Sequence, residues 1–168
     1  MTPLHTLFRL AVYALAVAAL CGCAGRGAGA VLFSPEDAQA LRLDQQEWDA
    51  AGMTAKALNL SPGPGIRVVV PDVVETESGP IVAVPPVATI LVEFLENTAP
   101  VDMATLDIVA RKGWFSRSLT AKLAPYVEGT RLQARNLRIP TGQYKLEMRI
   151  KDIAGHATEQ TFRFEVND

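Results

Sequence analysis

The sequence predicts an all-β protein: an antiparallel β-sandwich of about seven strands, preceded by a signal peptide, a flexible tether and one short helix. The first observation is that apolar and charged residues alternate with period two from residue 143 onward, which is typical of a half-buried strand. The alternation returns near the C-terminus, where Phe162, Phe164 and Val166 should face inward and Arg163 and Glu165 should face solvent. The second is that short apolar stretches separated by turn residues follow one another from residue 66, without alternating helical segments. With 168 residues and 49% hydrophobic content, the chain is large enough for one such domain.

The first 22 residues have the layout of a secretory signal peptide. Arg9 precedes an apolar run from Leu10 to Leu20, and small residues follow this run. The run is too short for a membrane helix, which needs roughly 20 apolar residues. We therefore expect residues 1–22 to be a signal peptide that is removed by cleavage.

The end of this segment, Leu20-Cys21-Gly22-Cys23, resembles the lipobox of bacterial lipoproteins, with Leu at −3, Gly at −1 and the modified cysteine at +1. The resemblance implies cleavage before Cys23 and acylation of that residue by fatty acids such as palmitate, which would make it a membrane anchor. Because Ala24 rather than Asp follows the cysteine, the resemblance also implies the outer membrane, facing the periplasm or the cell surface. The alternative is cleavage at Ala28-Gly29-Ala30, which would release a soluble protein.

Composition excludes several classes of function. Cys21 and Cys23 are the only cysteines, and both lie at the end of the leader, so the folded part has no disulfide and no cysteine metal site. The formal charge is −2, and loss of Arg9 with the leader reduces 16 basic residues to 15 against 18 acidic ones, which argues against a nucleic-acid partner. There is no phosphate-binding glycine loop and no nucleophile elbow in the sequence, so we expect neither a cofactor nor an enzymatic activity.

Residues 23–64 are expected to hold the acylated cysteine, a tether and one helix. Ala24 to Ala30 is too poor in side chains to pack, and Ser34-Pro35-Glu36-Asp37 is typical of a helix start. The helix should run to about Ala51, with Gly52 stopping it. It could pack loosely on the domain, bind a partner or be mostly disordered. Ser61-Pro62-Gly63-Pro64-Gly65 then predicts a domain boundary, so that residues 65–168 should fold alone.

Seven stretches after this boundary are candidate strands. Two short ones are bounded by prolines and are therefore expected at sheet edges, whereas Val87 to Leu95 is apolar on both faces and is expected to be central and covered on both sides. The seven are Ile66–Val70, Ile81–Val84, Val87–Leu95, Thr105–Ala110, Thr130–Leu137, Gln143–Lys151 and Thr158–Val166. Leu119, Leu123 and Tyr126 recur at helical spacing before the fifth, so a helical turn should cross between the sheets there.

The last two strands carry a resemblance. Asp152-Ile153-Ala154-Gly155-His156 offers an Asx-type start and a glycine for positive φ, so Asp152 and Gly155 should shape the turn. With Pro140 to Leu146 before it and Phe162 to Val166 after it, this hairpin resembles the end of bacterial immunoglobulin-like domains. The resemblance implies a tyrosine corner at Tyr144, whose phenol bonds back to the preceding connection. Leu146 stands where antibody domains keep a cysteine, so their disulfide is absent.

The sequence predicts no metal site. After the leader His156 is the only histidine, and Asp152 and Glu159 beside it are too few to complete a cage. Asp72, Asp102 and Asp107 do not form the run of alternating acids typical of calcium loops, and Asp102 is better interpreted as a cap or turn residue.

A candidate binding site lies at Arg111-Lys112-Gly113-Trp114-Phe115-Ser116-Arg117. Trp114 should be exposed and bind while Phe115 packs, with Arg111, Lys112 and Arg117 steering an anionic polymer. In the alternative, both rings plug the open end of the core. The predicted function is a lipid-anchored, non-enzymatic interaction module of the cell envelope that binds a protein or cell-wall polymer. The alternative is an accessory protein that binds a glycan or a small molecule.

Overall fold

The structure is a computed structural model that describes residues 30–57 and 61–167. In chain order, the strands are β1 (Gly65–Val70), β2 (Val73–Val74), β3 (Ile81–Val84), β4 (Val87–Leu95), β5 (Val101–Lys112), β6 (Phe115–Ser118), β7 (Val127–Glu128), β8 (Arg131–Arg138), β9 (Gly142–Asp152) and β10 (Ala157–Val166). The helices are α1 (Pro35–Leu41), α2 (Gln45–Ala57) and α3 (Thr120–Leu123), the last continuing into a 3₁₀ turn at Ala124–Tyr126.

The strands form two packed sheets, which confirms the predicted immunoglobulin-like β-sandwich. Sheet A has the order β1-β4-β8-β7, and sheet B has the order β2-β3-β10-β9-β5-β6. Neighbours run antiparallel except β3 and β10, which are parallel. The predicted helical turn is α3 with its 3₁₀ extension, and it carries the chain from β6 in sheet B to β7 in sheet A.

The predicted strands differ from the observed ones in three respects. Strands β2, β6 and β7 are additional, because two to four residues are too few to show a period. β5 begins at Val101 rather than Thr105. A bulge between Asp102 and Asp107 interrupts its pairing with β9, so the first residues of the strand do not continue the alternating pattern. β3 is not an edge, because the two-residue β2 pairs with its outer side.

The outer faces of the two sheets also differ from the prediction. β4 is central in sheet A, but it is covered only on its inner face, and Val87 is 53% exposed on the other. Helix α2 packs instead on the outer face of sheet B, against β10 and β9. There Arg163, which the alternating pattern predicted to face solvent, is completely buried.

Two helices occur where one was predicted. Ser34 caps α1 as expected, its Oγ accepting from the Asp37 amide at 3.1 Å. The chain then breaks, and α2 starts with a capping box: the Asp44 carboxylate accepts from the Glu47 amide, and the Glu47 carboxylate accepts from the Asp44 amide. Gly52 does not stop the helix but lies within α2, where a Cβ would stand 2.0 Å from the Ser78 carbonyl oxygen.

Arg163, on β10, connects α2 to sheet B. Its guanidinium donates to the Gly79 carbonyl at 2.7 Å and to the Ser78 hydroxyl at 3.2 Å, and it lies 4.7 Å from the centre of the Trp48 ring. Burial lowers the pKa of Arg163, while the charges of Asp49 and Glu165 oppose that effect. Because Gly52 and Gly79 lack side chains, α2 and the segment before β3 can approach each other closely around the buried guanidinium of Arg163.

The segment before the predicted boundary shares the main core. Leu32, Phe33, Ala38 and Leu41 belong to the same buried cluster as the inner faces of both sheets, and the Phe33 ring lies 4.9 Å from that of Tyr144. β1 does start at Gly65, at the predicted boundary, but the packing does not separate the two sides of it. This disfavours both loose packing of the helix and independent folding of residues 65–168.

Within the described residues, no helix is long and apolar enough to cross a membrane. Cys23, the leader and most of the tether lie outside those residues, so the anchoring prediction is not addressed by the fold.

Candidate functional site at the β5–β6 hairpin

Trp114 lies at the tip of the hairpin that joins β5 to β6. Lys112 pairs with Phe115, leaving a two-residue turn of Gly113 and Trp114. Gly113 has φ 53° and Trp114 does not have positive φ, which is the pattern of a type II′ turn with glycine first. A tight turn of this kind leaves the tryptophan little backbone freedom and points it away from the sheet.

The two aromatic rings have different environments. Trp114 is 94% exposed, whereas Phe115 is half-buried and packs against the core. The rings meet edge to face, with centroids 6.3 Å apart and an interplanar angle of 89°. The placement is the one proposed for these residues from the sequence, and the alternative, with both rings inside the core, does not occur. Binding by Trp114 stays a prediction.

The three predicted cations are each paired with an acid. Arg111 Nε lies 2.7 Å from Glu147 Oε2, and Lys112 Nζ lies 3.2 Å from Glu47 Oε2. Arg117 Nη2 lies 2.6 Å from Asp37 Oδ1, and its guanidinium also stacks 5.6 Å from the Phe115 ring centre. Lys112 Nζ also donates to the Arg42 carbonyl at 2.7 Å.

These pairings add a structural role for the cations that the sequence does not predict. The hydrogen bond from Arg111 to Glu147 raises the pKa of Arg111. Burial alone would raise the pKa of Glu147, but hydrogen bonds from Arg111 and Lys145 lower it below its usual value. Through these ion pairs the cations link the hairpin to α1, α2 and β9, and their role in steering an anionic polymer stays a prediction. The acids involved come from distant parts of the chain, so no sequence spacing could reveal them.

The predicted structural residues lie at the two ends of β9. The Tyr144 hydroxyl donates to the Thr141 carbonyl at 3.3 Å, which is the contact that defines a tyrosine corner. Burial raises the pKa of Tyr144, against an opposing effect of Arg42. In the β9–β10 turn, Gly155 has φ 89°, as expected, and the Asp152 carboxylate accepts from the His156 amide at 2.8 Å.

Asp152 is nearly fully buried and is held by three donors. The other two are His156 Nδ1 at 2.9 Å and the Thr98 hydroxyl at 3.1 Å. Burial raises the pKa of Asp152, but these hydrogen bonds more than offset that effect and lower it. Among the described residues, no three His, Cys, Asp or Glu side chains are grouped so as to hold a metal ion.

The surface depressions are open. One of about 450 Å³ lies beside Arg42, Thr141 and Glu165, and another of about 330 Å³ lies between Ser61 and Leu95. Neither is lined by Trp114.

Comparison with known proteins does not assign the chain to a family. No protein-family model matches the chain, and no curated protein is significantly similar to it in sequence. Among solved structures, the chain is similar to CopC from Methylosinus trichosporium OB3b, with 16% identity over 56% of this chain and 91% of that one, and a TM-score of 0.33. It is also similar to murine CRIg, with 13% identity over 62% of this chain and 99% of that one, and a TM-score of 0.35.

Proposed function

We propose that the protein is a lipid-anchored, non-enzymatic interaction module of the cell envelope, and that it binds its partner through Trp114. Acylation of Cys23 fixes the chain to the outer membrane, and the sandwich holds the hairpin rigidly beside it. The partner is an envelope protein or a cell-wall polymer. The lipobox resemblance supports the anchor, and the exposed hairpin tip supports the binding role.

The observation that carries the binding role is the 94% exposure of Trp114 on a hairpin fixed by three ion pairs. A large apolar ring in water is unfavourable, and tryptophan is enriched among the residues that dominate binding energy at interfaces. Because the hairpin is already ordered, binding costs little conformational entropy. An exposed indole can also stack on a sugar ring, which keeps glycan binding as the alternative.

Photo-crosslinking in intact cells tests this role. A photoreactive amino acid replaces Trp114 in one variant and Ile153 in a control, since Ile153 is 69% exposed in the β9–β10 turn at the other end of β9. We expect a discrete protein or polymer adduct from position 114 that is absent from position 153. Identical adducts at both positions, or none at position 114, would contradict a binding role for the hairpin tip.

A further inference from the structure

The outer face of sheet A is cationic in a chain of net charge −2. The four strands of this sheet carry four arginines and two acidic residues, Glu93 and Glu128, and all six side chains lie on the outer face. The arginines are Arg67, Arg131, Arg135 and Arg138. The face therefore has an excess of positive charge that the composition of the whole chain conceals.

Two of these arginines are unpaired within the described residues. Arg67 and Arg131 share Glu93, with Arg131 Nη2 3.1 Å from Glu93 Oε1, and the hydrogen bond from Arg67 lowers the pKa of Glu93. Arg135 and Arg138 are exposed, and neither side chain forms an ion pair with any described residue. The uncompensated charge is thus concentrated at the end of the face where β8 finishes.

Exposed apolar side chains flank that charge. Val87 on β4 pairs with Arg138, and Val31 pairs with Arg138 through an isolated parallel bridge. The three side chains therefore share the outer face. Val87 is 53% exposed and Val31 is 47% exposed. Leu91, half-buried, lies further along the same face of β4, beyond Thr89. The end of sheet A therefore combines apolar groups with free guanidinium groups.

The chain enters the fold at this same end. The Ala30 carbonyl accepts from the Arg138 amide at 2.8 Å, and Cys23 lies seven residues before Ala30. Seven residues span at most about 25 Å, so an acylated Cys23 keeps this end of sheet A close to the bilayer. Tethering over such a distance produces a millimolar effective concentration, so the contact itself needs little affinity.

We propose that the outer face of sheet A, through Val31, Val87, Arg135 and Arg138, rests on the anionic headgroups of the membrane. The inference depends on the proposed acylation of Cys23. The arginines bind lipid phosphates and the valines enter the interface between headgroups and acyl chains. Because Trp114 belongs to a hairpin of sheet B, the orientation leaves it free for a partner.

The test uses acylated full-length protein in vesicles of phosphatidylethanolamine and phosphatidylglycerol. An environment-sensitive dye is attached at Val87→Cys, or at Glu159→Cys on sheet B as a control, and spin-labelled lipids serve as quenchers. Glu159 is exposed and lies on the other sheet. We expect quenching at position 87 to exceed that at position 159 several-fold. It should fall to the control level in the Arg135→Glu/Arg138→Glu variant and in vesicles without phosphatidylglycerol.

Other outcomes overturn the inference. Protein that floats with the vesicles but is quenched equally at both positions overturns the membrane contact and leaves the anchoring intact. Protein that does not float overturns both proposals. Protection of the dye by a soluble polyanion, without quenching by the spin-labelled lipids, would mean that the face binds an anionic polymer instead. Circular dichroism of the arginine variant checks that it is folded.

Discussion

At the scale of single residues, Tyr144 and Asp152 secure the two ends of β9 with buried hydrogen bonds. The Tyr144 hydroxyl bonds the connection that enters the strand, and the Asp152 carboxylate closes the turn that leaves it. Both side chains are 2% exposed or less. A buried polar group that loses its partner costs free energy, so each contact makes a specific prediction.

Replacing Tyr144 by Phe removes one hydroxyl bond and keeps the ring against Phe33. At 3.3 Å the bond is long, so we expect the free energy of unfolding to fall by about 0.5 to 1 kcal/mol in urea. Tyr126→Phe is the matched control, because Tyr126 is half-buried and its hydroxyl forms no hydrogen bond with any described residue, and it should leave stability unchanged. Equal stability of Tyr144→Phe and the parent would mean that the hydroxyl bond contributes nothing.

Asp152 makes a prediction about pH. Its pKa is lowered in the folded state, so its stabilising contribution is present above the unfolded pKa and is lost as pH falls through the folded value. Asp152→Asn should therefore lower stability clearly at pH 7, and this deficit should shrink progressively as the pH falls below the ordinary pKa value of 3.8. Denaturant unfolding over a series of pH values from 7 downward measures the change. Glu77→Gln, at an exposed position, should show no such dependence, and a constant deficit for Asp152→Asn would contradict the linkage.

At the scale of elements, the long strands are predictable from the sequence, whereas the short strands β2, β6 and β7 and the arrangement of the helices are not. Period two marks each long strand of the sandwich, because one face of each is buried. The Asp44-Glu47 capping box is a local sequence signal for the break between α1 and α2, although a single helix is predicted there. Gly52 and Arg163 were misinterpreted, since a glycine within a helix and a charged residue on a strand take these roles only when α2 lies on the sheet.

The candidate site, too, is only partly predictable from the sequence. The exposure of Trp114 is predictable because it lies among cations in a segment that follows a predicted strand, whereas the tight turn to β6 is not predicted. The neutralisation of Arg117 and Lys112 depends on Asp37 and Glu47, which are about 80 and 65 residues away and arrive only through the docking of α1 and α2. Ion pairs between residues that are far apart in the sequence cannot be predicted from local spacing.

The segment before β1 is part of the core, and Phe33 tests this. Phe33 is 1% exposed, so Phe33→Ala should destabilise the protein by about 3 to 4 kcal/mol, as expected for a buried aromatic ring. Val31→Ala, two residues earlier and 47% exposed, should cost less than about 0.5 kcal/mol. Urea unfolding compares the two variants. A similarly small effect of both would restore the boundary at residue 65 and independent folding of the strands.

At the scale of the whole molecule, the two sheets have different outer surfaces. Sheet B is partly covered by α2 and carries the Trp114 hairpin, whereas the outer face of sheet A is open and cationic. Lys112 bonds Arg42, and Arg42 bonds Thr141, so the hairpin lies at the same end of the sandwich as Arg138 and the entry of the chain. We therefore expect a partner of Trp114 to be located close to the membrane.

The location of the protein in the cell envelope and the membrane contact of sheet A both depend on the anchor, so the most direct measurement is the acylation of Cys23. Cells fed a clickable fatty-acid analogue should incorporate the label into the parent protein and into a Cys21→Ser variant, because Cys21 leaves with the signal peptide. A Cys23→Ser variant should carry no label and should no longer sediment with membranes. Label retained in Cys23→Ser, or a parent protein that is unlabelled and begins near Ala30, would contradict the lipid-anchored account.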